Sequence, residues 1–294
     1  MVDGQAGTRE NRTSFRAVAP YATLSENLGP LKDLPGRWSG GGFNLIARPD
    51  FAGGNDIFLE LNLTQETLEF TTIGSPVPNR GSQQGDIELF GVHYLQQITD
   101  ATTHGALHLE PGFWMSVPET EQPKAPPSVV RLASIPHGDA MNAQGRAIEV
   151  DGPPQIGPAN TTPFPIGGTP PPQNTFPEYD LSQPNNFRTH PLPAAITQEI
   201  VNNPNALLTK ELTGKHVTKT QVLEVSTAGG GGVENIPFIA ANADAVLVSA
   251  TFWIETVMLG FIPVLQLQYT QTVLLNFLGL SWPHVSVATL LKAF

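Results

Sequence analysis

Ser249-Ala250-Thr251-Phe252-Trp253-Ile254-Glu255-Thr256-Val257 and, a few residues on, Leu265-Gln266-Leu267-Gln268-Tyr269-Thr270-Gln271-Thr272-Val273 are the runs that decide the fold class. Both are dense in β-branched and aromatic residues, the side chains that fit a pleated, half-buried surface. Both also carry hydroxyl, amide and carboxylate groups, too many for strands buried on both faces of a parallel sheet. They lie within Ala245–Met258 and Val264–Phe277, and similar texture recurs at Trp38–Ala47, Asp56–Leu63, Thr67–Thr72, Ile87–Thr99, Ala106–Val117, Ser128–Ile135, Lys215–Thr227 and Val285–Leu291. Gly, Pro, Asn and Asp separate many of these runs without regular helices between them, so antiparallel pairing is expected. About ten such strands leave two open edges unless the sheet closes on itself. The expected fold is therefore all-β and antiparallel, and closing the sheet into a barrel would remove those edges.

Composition agrees and narrows the function. Of 294 residues, 14% are charged and 40% hydrophobic, with 28 Gly and 28 Pro; this suits strands and turns better than a helical bundle. A net charge of −11 with 15 Lys and Arg argues against nucleic acid, whose phosphates need a basic surface, and against anionic membrane. The absence of cysteine excludes disulfides, thiolate nucleophiles and Cys-ligated metals. Met1–Glu26 lacks the basic-then-apolar order of a signal peptide. No run approaches the roughly 18 apolar residues of a membrane helix. A soluble, cytoplasmic protein is expected.

The chain divides unevenly. Residues 1–30 read as a loosely ordered lead-in, and 31–294 as a single enlarged barrel domain. Within it, residues 151–193 hold twelve prolines from Pro153 to Pro193 and almost no charge. Proline fixes φ and removes a donor, so this piece is no sheet interior. It also carries Phe164, Ile166, Phe176, Tyr179 and Phe187, which a free linker does not need. It reads as an extended arm laid over a surface, with a partner subunit (hence a homo-oligomer) as one candidate; a disordered loop is the alternative. Ala194–Leu208 reads as a short helix.

Three patches carry the functional reading. The first is Gly36-Arg37-Trp38-Ser39-Gly40-Gly41-Gly42, in which Trp38 plugs a barrel end or shapes a pocket. The second is Leu107-His108-Leu109-Glu110-Pro111-Gly112-Phe113-Trp114. Period-two alternation puts His108 and Glu110 on one face of a strand, as a buried structural pair or as polar lining of a pocket. The third is Leu280-Ser281-Trp282-Pro283-His284-Val285-Ser286-Val287-Ala288-Thr289-Leu290. Together they resemble the nitrobindin family, small haem-binding β-barrels related in shape to lipocalins and fatty-acid-binding proteins. The resemblance covers roughly Leu34–Pro118 and Ala245–Leu291 and leaves 119–244 outside it, so the chain resembles a distant, enlarged relative. It implies a closed, antiparallel calycin-like β-barrel of about ten strands with haem b in the cavity, His284 as the ligand of its iron, and His108, Glu110 and Trp38 around it. It further implies that the iron binds or transforms nitric oxide, peroxynitrite or peroxide, in isomerase or peroxidase-like chemistry. Where those barrels have Tyr-Pro-Thr-Ile, this chain has Phe43-Asn44-Leu45-Ile46-Ala47, so the small hydroxyl residue expected near the iron is missing.

Other constellations are weaker. Peroxidase-type chemistry needs a distal acid–base group, for which His93 and His137 are the catalytic candidates. His137, on a turn, reaches the barrel mouth with Arg131 and Asn142 in this reading. His104, His108 and Glu110 match a two-His-one-carboxylate set only if the chain turns near Gly105, since positions i and i+4 of a strand lie about 13 Å apart. No Gly-x-Ser-x-Gly elbow, P-loop or dinucleotide fingerprint occurs, and Gly229–Gly232 reads as a flexible turn. The alternative to haem is a haem-free lipocalin-like protein that binds or converts an apolar metabolite.

Overall fold

Alternation of inward and outward side chains organises the whole molecule. The computed structural model describes residues 25–172 and 176–293. Among them ten strands run up and down in chain order: β1 (Gly36–Asp50), β2 (Asn55–Thr72), β3 (Ile87–Asp100), β4 (Ala106–Val117), β5 (Ser128–Ile135), β6 (Asp139–Asp151), β7 (His216–Ser226), β8 (Asp244–Leu259), β9 (Ile262–Phe277) and β10 (Leu280–Lys292). Each pairs antiparallel with the next, and β10 returns to β1 from Trp38↔Lys292 to Leu45↔Val285. The barrel is closed. Gly40 and Gly42 make the seam possible, because a β-carbon there would lie 2.1 Å from the Thr289 carbonyl oxygen and 1.8 Å from that of Val287.

The inward set includes Trp38, Leu68, Phe70, Tyr94, Trp114, Leu223, Phe252, Ile254, Tyr269 and Leu290. Phe252 stacks on Tyr269 at 5.2 Å between ring centroids and meets Trp114 edge-on at the same separation. These contacts place aromatic and aliphatic side chains in the middle of the barrel. At one end Trp38 donates its indole Nε1 to the Leu34 carbonyl at 2.8 Å and packs with Leu28 and Leu31. The lead-in is therefore core from Leu28 onward, earlier than the expected boundary at residue 30. Its first 24 residues lie outside the described ones.

A second core lies outside the barrel wall. Phe43, Leu45, Leu59, Leu61, Val285 and Val287 face outward and are covered by Tyr179, Ile196, Ile200, Val201 and Leu208. The proline-rich segment is thus laid on its own barrel. It also caps an edge: β2 pairs with β3 only from Thr64 onward, and before that point Leu59 N donates to Phe187 O at 2.7 Å while Thr189 N donates to Leu59 O at 3.0 Å. This blunts an edge that would otherwise be free to pair with another chain.

Other departures have local causes. The expected Ala194–Leu208 helix is two short ones, α1 (Gln198–Asn202), capped by Thr197, and α2 (Asn205–Leu212), with Pro204 at the break. Asp56–Leu63 and Thr67–Thr72 are halves of one strand, β2. Beyond Gly229–Gly231, residues Gly232–Asn235 pair with the start of β6. Among the described residues no helix is long and apolar enough to cross a membrane.

Candidate functional site

The end of the barrel opposite Trp38 is lined by polar side chains. His108 and Glu110 point inward from the start of β4, His137 comes from the β5–β6 turn, and His284 and Ser286 point inward from β10. Asn44, Ser286 and Gln271 stand side by side across β1, β10 and β9. His284 Nε2 lies 2.7 Å from Asn44 Oδ1, with Ser286 Oγ at 3.4 Å from each. Burial pushes the His284 imidazole down to about 3, and the nearby His108 and His137 act in the same direction. His284 is therefore neutral and donates its Nε2 hydrogen to the Asn44 carbonyl.

Beneath it sits a fully buried ion pair. Glu110 Oε1 accepts from Arg131 Nη2 at 2.5 Å, and Tyr94 donates its hydroxyl to the same carboxylate. Arg131 Nε also donates to Tyr94 at 2.9 Å, and its Nη1 donates to Gln271 Oε1 at 2.6 Å. Burial alone would raise the Glu110 carboxyl. The Arg131 guanidinium, helped by His108 and Tyr94, outweighs burial and brings it down to about 2. The other oxygen, Oε2, lies 3.2 Å from His108 Nε2, and the His108 ring stacks on His137 with centroids 5.6 Å apart. Deeper still, Glu66 accepts from Tyr269 at 2.7 Å and from Thr64 at 3.1 Å; burial pushes it up to about 7 against these bonds.

The structure brings His284, His108 and Glu110 together and adds His137 from its turn. It does not bring in the rest. Trp38 sits six positions along β1 from Asn44, about 20 Å away at ~3.3 Å per residue, and plugs the other end. His93 is exposed on the outer face of β3 and turned away from the interior, and Asn142 is exposed on β6. His104 is exposed in the β3–β4 turn with φ of 60°. Among the described residues no group of three or more His, Cys, Asp or Glu is placed to hold a metal ion. Sequence reasoning missed Asn44, Gln271 and Tyr94. A usable signal existed, because Gln271 shares its parity with Leu267 and Tyr269, and Asn44 shares its parity with Trp38, Gly40 and Gly42.

No family model matches the sequence, and no curated protein matches it. Among solved structures, that of Rv2717c from M. tuberculosis is similar at 15% identity and a TM-score of 0.46, over 95% of this chain and 100% of that one.

Proposed function

We propose that the polar end of the barrel binds a small, neutral, polar molecule between His108, His284 and the Asn44–Ser286–Gln271 row. The observation behind this reading is the cancellation of charge at the site. Glu110 is matched by Arg131 and His284 is neutral, so the lining offers hydrogen bonds without net charge. The apolar metabolite expected of a lipocalin-like carrier suits the site less well, because aromatic side chains already fill the apolar part of the interior.

Haem b on His284 is the second reading. One observation favours it: a neutral imidazole is the form that coordinates iron. However, the same Nε2 is held by Asn44, and the surroundings are amide, hydroxyl and ion pair rather than apolar wall. The residues do not fit haem as they stand, and no step at an iron follows from them. Titration of the purified protein with hemin separates the readings. We expect no Soret band that depends on His284. A Soret band that appears in the wild type and is lost in His284→Ala would replace this proposal with the haem reading.

A further inference from the structure

Resting on that binding reading, we infer that the site is an acid–base catalyst for a small neutral carbonyl compound, with His108 Nδ1 exchanging the proton and the side-chain amides of Asn44 and Gln271 holding the carbonyl oxygen. The base is defined by its partners. Glu110 is ionised, hence acceptor-only, so the hydrogen between it and His108 sits on Nε2, and in the neutral ring the lone pair is the one on Nδ1. Glu110 itself is fixed by Arg131 and Tyr94, and His137 lies against the His108 ring. A base oriented by a buried carboxylate, in turn held by further groups, is the arrangement that proton transfer requires. His108 keeps 17% of its side chain exposed, and Nδ1 has no hydrogen-bond partner among the described residues.

The donors follow from the same bonds. His284 takes the Asn44 carbonyl and Arg131 takes the Gln271 carbonyl, which leaves each amide NH2 without a partner among the described residues. Arg131 touches both Glu110 and Gln271, so base and donor row are one guanidinium apart. In the step, the C–H bond next to the carbonyl breaks and an N–H bond forms at Nδ1. The electron pair becomes the C=C bond of an enolate, whose oxygen accepts hydrogen bonds from the two amides. Glu110 stabilises the imidazolium while it lasts. Return of the proton to the enolate oxygen or to another carbon gives the isomer and restores neutral His108, with no net oxidation.

p-Nitrophenol, a neutral acid whose anion resembles an enolate, is the probe. Below the pH at which it ionises in water, adding the wild-type protein should produce the yellow phenolate. His108→Gln should reduce that colour at least about tenfold, and Gln271→Leu should weaken binding. Nitrogen NMR of the wild-type imidazoles should show His108 protonated at Nε2 and bare at Nδ1, a result that needs no variant to fold. Binding seen at His284 without colour, equal colour in His108→Gln, or a hydrogen on Nδ1 would overturn the inference and leave the binding reading intact. A probe that perturbs none of the site's imidazoles would overturn both.

Discussion

Arg131→Met should destabilise the protein by about 3–5 kcal/mol at neutral pH, the cost of leaving one member of a buried ion pair alone. Arg131 and Glu110 are 1% and 0% exposed, and the guanidinium also bonds Tyr94 and Gln271. Its Cζ lies 5.1 Å from the Phe252 ring centroid, so part of the loss is packing on the aromatic centre. Without the cation, burial prevails at Glu110, its carboxyl moves above the usual range, and the carboxylate is taken up neutral or the strand pair opens. Adding Glu110→Leu to Arg131→Met should restore most of the loss, since an apolar pair carries no unmatched charge. Urea unfolding of the single and double variants measures both effects. A single variant within about 1 kcal/mol of wild type would mean that the pair is not buried as described.

Removing the arm should have a larger effect. The two ends of the insertion already face each other on the β6–β7 ladder, where Asp151 pairs with Lys219 and Gly152 N donates to Thr218 O at 2.9 Å. Residues 154–213 can therefore be replaced by a short turn without changing the register. The cut uncovers Leu45, Leu59, Leu61, Val285, Val287 and Trp282, now 0–2% exposed. Each large side chain loses about 1.5–3 kcal/mol of burial, so the sum rivals the roughly 5–15 kcal/mol by which a domain is stable. The free stretch of the β2 edge is uncovered too. The shortened chain should self-associate or lose the β1–β2 pairing, visible in its solution mass and its circular dichroism. A monomer that melts at the wild-type temperature would show that the outer core is not needed.

How much of this was legible in the chain depends on which face a residue takes. Antiparallel strands could be read from the texture of Ser249–Val257 and Leu265–Val273, whereas closure into a barrel came from the resemblance at Gly36–Gly42, His108–Trp114 and Trp282–Leu290. The strand Asp139–Asp151 escaped notice because much of it faces solvent and it lacks a β-branched run until Ile148. The arm's prolines showed that it is no sheet interior, but not which wall it covers, since that is set by the outward parity of Leu45 and Leu59 on distant strands. At the site, His108, Glu110 and His284 stood out as the residue types that carry chemistry. Asn44 and Gln271 did not, because an amide on a strand looks like a solvent-facing side chain until its parity is counted against Trp38 or Tyr269. Trp38 was placed beside the pocket by the resemblance and His93 by residue type, and geometry puts both elsewhere; the plug, the other role expected of Trp38, is the one it takes.

The hold of Asn44 on His284 at the polar end of the barrel is measured directly by the pH titration of the His284 imidazole nitrogens in NMR. Burial pushes the folded group down to about 3, against an ordinary value near 6.5 in the unfolded chain. Between these values the unfolded chain binds the proton and the folded one does not, so stability attributable to His284 is complete above pH 6.5 and is lost as pH falls towards 3. A neutral ring with its hydrogen on Nε2 is expected throughout that interval while the protein remains folded. A ring that takes up a proton near 6.5 in the folded protein would place His284 in water and contradict that expectation.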